Sequence, residues 1–86
     1  MANYSVRFKR SAAKELEAVP LKDRRRIVAR IEQLQVDPRP PGCEKLSGEE
    51  KYRLRQGNFR ILYEILDRVL VITVVKIGRR NHAANT

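Results

Sequence analysis

The sequence predicts an α+β fold of order β-α-α-β-β-β, a helix hairpin packed on one face of a small, mostly antiparallel four-stranded sheet. Three observations predict it. Tyr4, Val6 and Phe8 alternate with Ser5, Arg7 and Lys9 at the start of the chain. Apolar residues then recur at helical spacing from Ala12 to Leu34. From Tyr52 to Ile65 the period returns to two, which is the period of a strand, and a β-branched apolar run follows from Val69 to Ile77.

Each element has a local reason. Strand alternation over Tyr4–Phe8 gives one apolar and one polar face. Ser11 offers an N-cap oxygen to a first helix whose apolar positions are Ala12, Leu16 and Val19. Pro20 ends it, because proline disfavours helical geometry in the preceding residue. Leu21 opens a second helix with Ile27, Val28, Ile31 and Leu34 along one side. The run Asp37-Pro38-Arg39-Pro40-Pro41-Gly42 stops that helix. Cys43 to Glu50 reads as a polar connector.

Two strands follow, joined by Gln56-Gly57-Asn58, where Gly and Asn tolerate positive φ. Tyr52 and Leu54 share one face with Phe59, Ile61, Tyr63 and Ile65, and Arg53, Arg55 and Arg60 take the other. Leu66-Asp67-Arg68 reads as a turn. Val69 through Ile77 is a β-branched apolar run, as expected of a central strand. The helix hairpin is expected to bury Leu16, Ile27, Ile31 and Leu34 against Phe59, Ile61, Tyr63 and Val74. The opposite face is left to the arginines, concave if the sheet twists in the usual sense.

A chain of 86 residues is expected to form one domain over 1–86, with one modest core. Nineteen Lys and Arg against ten Asp and Glu give a net charge of +9. Residues 1–50 carry +3 of it and residues 51–86 carry +6. The field belongs mainly to the C-terminal strands and predicts a polyanionic partner, most often nucleic acid. Cys43 is the only cysteine, so a reducing compartment suits the chain. No signal-peptide pattern and no apolar run of membrane-spanning length are present, so a cytoplasmic protein with no membrane partner is expected.

Several chemistries find no support in these residues. A structural zinc site draws on about four Cys or His ligands, and here there is one of each. No Gly-rich phosphate loop or dinucleotide fingerprint occurs, and no cofactor is expected. Cys43 and His82 do not read as a nucleophile and base, since Cys43 lies in an irregular connector. Arg24-Arg25-Arg26 and Arg30 point in several directions on a helix and read as a solvated face.

The sheet arginines are different. A guanidinium stays protonated near neutral pH, clamps phosphate bidentately and stabilises charge developing on phosphorus oxygens. In RNA the 2′-OH beside each phosphodiester is a built-in nucleophile, so such a face can promote cleavage without a metal. Arginines chosen for solubility alone would give the same pattern.

The segment Tyr52–Ile65, followed by Val74-Val75-Lys76-Ile77-Gly78-Arg79-Arg80, resembles the RelE/ParE superfamily of bacterial toxins. The first strand, the helix pair and the Pro41-Gly42-Cys43-Glu44-Lys45-Leu46 connector are similar too, so the resemblance spans nearly the whole chain. It implies a RelE-like, ribosome-dependent endoribonuclease that cuts messenger RNA in the ribosomal A site, within the 16S rRNA environment. It also implies a cognate antitoxin.

By resemblance, Arg60 and Arg80 hold and polarise the scissile phosphate, while Arg53 and Arg55 orient RNA and stabilise the transition state. Lys51, Arg53 and Arg79 are the RNA-binding candidates. The family's C-terminal tyrosine is absent, and His82 is the candidate replacement as acid or base. The proton acceptor is otherwise open, with Glu49 and Glu50 nearest in sequence. Two other readings stand beside this one: a ParE-like poison of DNA gyrase, and a catalytically weak binder of an antitoxin.

Overall fold

The computed structural model describes residues 3–46 and 50–79. In chain order it contains β1 (Ser5–Phe8), α1 (Arg10–Glu17), α2 (Leu21–Leu34), β2 (Glu44–Lys45), β3 (Lys51–Gln56), β4 (Phe59–Leu66) and β5 (Val71–Arg79). The strands form one sheet in the order β1-β5-β4-β3-β2. Only the β1–β5 pair is parallel.

The α+β architecture agrees with the sequence, with one strand more than expected. Glu44 and Lys45, read as part of a connector, pair with Arg53 and Tyr52 at the edge of β3. Two charged residues carry no apolar alternation. Their strand is made by backbone pairing and by the Glu44–Arg53 ion pair at 3.0 Å, neither of which has a local pattern.

Other boundaries move for physical reasons. Lys9, rather than Ser11, occupies the N-cap of α1, and no side chain caps it. The C-terminus of that helix is served instead by Arg24, whose guanidinium donates to the carbonyls of Val19 and Glu17. The β3–β4 loop is Gly57-Asn58 alone, since Gln56 pairs with Phe59. Only Gly57 takes positive φ, at +59°, which is the pattern of a two-residue hairpin with Gly first. β5 begins at Val71, two residues later than expected, because Leu70 adopts φ 56° to close the turn.

The core lies between the helices and the sheet. Ala12, Val19, Ile27, Ile31 and Leu34 cluster with Leu54, Phe59, Ile61, Tyr63, Ile65, Ile72, Val74 and Ile77. Leu16 is only partly buried against it. Each fully buried Ile or Leu contributes about 1.5–3 kcal/mol, so the alternation that fills this face also fixes what the other face must display.

Two details of β5 bear on the site. Its pairing with β1 ends at Phe8↔Val74. Beyond that point Glu15 of α1 takes over: its Oε1 accepts the Ile77 N–H at 2.9 Å and its Oε2 meets Lys76 Nζ at 3.0 Å. On the other side of β5 the register shifts. Leu62 pairs with Lys76 and Tyr63 with Val74, which leaves Val75 as a bulge.

Candidate nucleic-acid interface

Burial alternates strictly along β3 and β4. Tyr52, Leu54, Phe59, Ile61, Tyr63 and Ile65 are buried beneath the helices. By the parity of a strand, Lys51, Arg53, Arg55, Arg60, Leu62 and Glu64 occupy the far face. Four predicted site residues, Lys51, Arg53, Arg55 and Arg60, are therefore brought together.

Their environments are unequal. Arg53 donates through Nε and Nη2 to Glu44 Oε1, at 3.1 and 3.0 Å. Lys51 Nζ lies 3.8 Å from Glu64 Oε2. Arg55 and Arg60 face each other directly across the β3–β4 ladder, a like-charge placement that costs stability when nothing sits between. Among the described residues neither has a carboxylate partner, and Arg60 Nε is buried with no acceptor. Opposite Arg60 on β5 stands Gly78. A Cβ there would meet only Lys76 Cε, at 3.8 Å, so the face beside Arg60 stays open.

A buried donor without an acceptor costs free energy, and two facing guanidiniums add repulsion. An oxyanion bound there relieves both. Bidentate geometry makes phosphate a suitable ligand.

Arg79 is placed differently. It pairs with Phe59 on the helix-bearing side of the sheet, with its guanidinium 5.0 Å from the Phe59 ring centroid. It does not join the other arginines. Arg80, His82 and Glu49 lie outside the described residues. Glu50 is committed elsewhere: it accepts from Arg39 Nη2 at 2.9 Å and from Tyr52 Oη at 3.2 Å, and pairs with Lys45 at 2.7 Å. Lys45 first, then Arg39, holds its carboxyl below the ordinary value, which makes it a weak proton acceptor.

Those contacts belong to a cluster that the periodicity of the chain does not single out. Arg39 also donates to Tyr52 Oη through Nε at 2.9 Å and to both Asp67 oxygens at 3.3 and 2.9 Å. Tyr4 Oη donates to the same Asp67 at 2.6 Å. Asp67 is held below its ordinary pKa, by Arg39 first and then Tyr4. Beneath it Tyr52 and Tyr63 stack with centroids 5.8 Å apart, and Tyr63 Oη donates to the Pro38 carbonyl at 2.8 Å. Burial is the main cause that pushes the Tyr63 phenol far above its usual pKa. The available signal was an arginine bracketed by prolines, whose fixed φ presets the loop that carries it.

Among the described residues, no three of His, Cys, Asp and Glu converge on a possible metal position. None of the described helices is long and apolar enough to cross a membrane.

Comparison with known proteins agrees with this geometry. Residues 6–84 match the family described as the ParE toxin of the type II toxin-antitoxin system parDE. A protein of Methanocaldococcus jannaschii named for a toxin RelE1 is 33% identical over 86 residues, 93% of each chain. A protein of Escherichia coli described as RelE-like toxin is 29% identical over 83 residues, 93% of this chain and 86% of its own length. Among solved structures, the archaeal RelE–RelB complex of Pyrococcus horikoshii contains a chain that superposes with a TM-score of 0.83 at 27% identity, covering 91% of this chain and 96% of that one. The far-face arginines, the two-helix cover and the family match over residues 6–84 converge: this chain belongs to the RelE/ParE superfamily of type II toxin-antitoxin toxins.

Proposed function

We propose that the chain is a RelE-like endoribonuclease that cleaves messenger RNA in the ribosomal A site and is held in check by a cognate antitoxin. One observation carries the reading: Arg55 and Arg60 face each other without a carboxylate partner among the described residues. In the reaction, a 2′-OH attacks the neighbouring phosphorus, the O2′–P bond forms and the P–O5′ bond breaks. Arg60, with Arg55 beside it, neutralises charge building on the non-bridging oxygens. Arg53, steadied by Glu44, aligns the strand. Arg80 completes the phosphate clamp, and His82 exchanges the protons.

Of the two described carboxylates on the arginine face, Glu44 is taken up by Arg53, and Glu64 stands four residues along β4 from Arg60, roughly 13 Å. That distance suits it to orient Lys51 rather than to take the 2′-OH proton. The ribosome supplies the alignment that a shallow sheet face lacks.

The antitoxin is expected to bring acidic side chains to the same face. The neighbouring Pyrococcus horikoshii structure is itself a RelE–RelB complex. The ParE name of the matching family favours a second reading, poisoning of DNA gyrase. A cell-free translation reaction with a defined messenger, mapped by primer extension with and without ribosomes, separates the two. Cuts within A-site codons, lost in Arg60→Ala and Arg80→Ala, are the expected result. An intact messenger with the protein still toxic in cells overturns it in favour of gyrase.

A further inference from the structure

The β5 bulge does something the arginines do not need. It turns Val75 onto the far face, next to Leu62. With Leu46, Lys51 and Tyr63, these two residues line a depression of about 210 Å³ whose walls are mostly apolar. Leu62 is directly opposite Arg53 and two residues along β4 from Arg60, roughly 6.6 Å. An apolar hollow is thus set among cations, within one nucleotide's reach of the facing arginines.

We propose that this hollow holds one nucleobase of the RNA whose phosphate meets Arg55 and Arg60; the proposal rests on the reading of that face as an RNA site. A nucleotide joins an apolar ring face to an anion in one unit, which is the combination the surface offers. A protein side chain filling the hollow would have to bring separate acidic residues to neutralise the surrounding charge. The volume lies below the roughly 300 Å³ at which drug-sized sites begin, consistent with one ring system. Leu62 and Val75 give the ring its floor, and Lys51 is the polar group on the wall. Leu62 and Val75 thereby become specificity-determining positions, since the width of the floor sets which base is accepted.

The test is a nuclear magnetic resonance titration of the full chain with a dinucleoside monophosphate and with its counterpart lacking both bases. The Leu62 and Val75 methyl signals are expected to shift with the first and not the second, while the Arg60 Nε–H signal moves with both. Leu62→Ala is expected to weaken binding of the base-bearing ligand roughly tenfold, the scale of one lost apolar contact in a pocket, and to leave the abasic ligand's affinity unchanged. Arg60 signals that move while the methyls stay still overturn the base site and leave the phosphate site standing. Silence of both overturns the RNA reading itself. Methyl signals that respond only to the antitoxin overturn the proposal in favour of a protein occupant.

Discussion

Arg39 and Arg60 sit on opposite sides of the same sheet and show two uses of one side chain. Arg39 spends its guanidinium on Asp67, Glu50 and Tyr52 and lies over the Tyr52 ring at 5.2 Å. Its partners come from the start of β3 and from the β4–β5 turn, so it ties two distant segments to the proline-rich loop. Arg60 has Arg55 for a neighbour and, among the described residues, a buried Nε with no acceptor. A saturated guanidinium holds structure together, whereas an unsatisfied one keeps its binding capacity for something outside the chain. The difference is one of partners, because both residues are arginines in a chain of net charge +9.

Substitution should separate the two roles. Arg60→Ala is expected to lower the cleavage rate by about 10²–10³-fold, the cost of losing one preorganised donor to a developing oxyanion. Its Tm should be unchanged or higher, since Arg55 loses a like-charged neighbour. A rate within threefold of wild type, or a fall in Tm, would break the comparison.

Arg39→Ala should do the reverse. A Tm lower by about 5 °C is expected, with the rate per folded molecule preserved. Acid sharpens this contrast. Glu50 and Asp67 are both held below their ordinary pKa in the folded state. The stability they add is complete above the unfolded carboxylate value near ~4 and disappears as pH falls through the depressed values. Thermal melts from neutral pH into acid should show a steep loss in the wild type and a shallower one in Arg39→Ala. Parallel curves would mean the cluster is not the titrating unit.

The smallest effect is expected at Arg79, which stacks on Phe59 away from the other arginines. Arg79→Ala should cost about 0.5–1 kcal/mol, as for an exposed cation–π contact. It should leave the salt dependence of RNA binding unaltered. Arg55→Ala should reduce that slope by about 0.7, one phosphate contact on a single strand. Equal slopes in the two variants would place Arg79 among the RNA contacts after all.

Legibility in the sequence tracks how local each cause is. The two faces of β3 and β4 are readable because alternation is imposed residue by residue. Residue order alone therefore suffices to group Lys51, Arg53, Arg55 and Arg60. β2 is not readable, since Glu44 and Lys45 become a strand only when β3 lies alongside. Nor is Arg39, whose partners Glu50 and Asp67 are 11 and 28 residues away. Arg79 shows the limit of parity: the Val75 bulge resets the alternation of β5, so counting forward from Val69 assigns the wrong face. The grouping of Arg79 with the RNA contacts rested on resemblance, and register places its side chain over Phe59.

The parallel pairing of Ser5 with Val71 and of Phe8 with Val74 joins the first strand to the last. Contacts of such high sequence separation form late, because a long loop must close before they repay its entropy. During synthesis β1 has no sheet to join until β5 has been made, and the helices have no complete surface to cover. The arginine face, built on β3 and β4, acquires its rigid backing only once β5 has been translated. The surface that gathers the arginines is therefore a late product of folding, set by a strand that follows it in the chain.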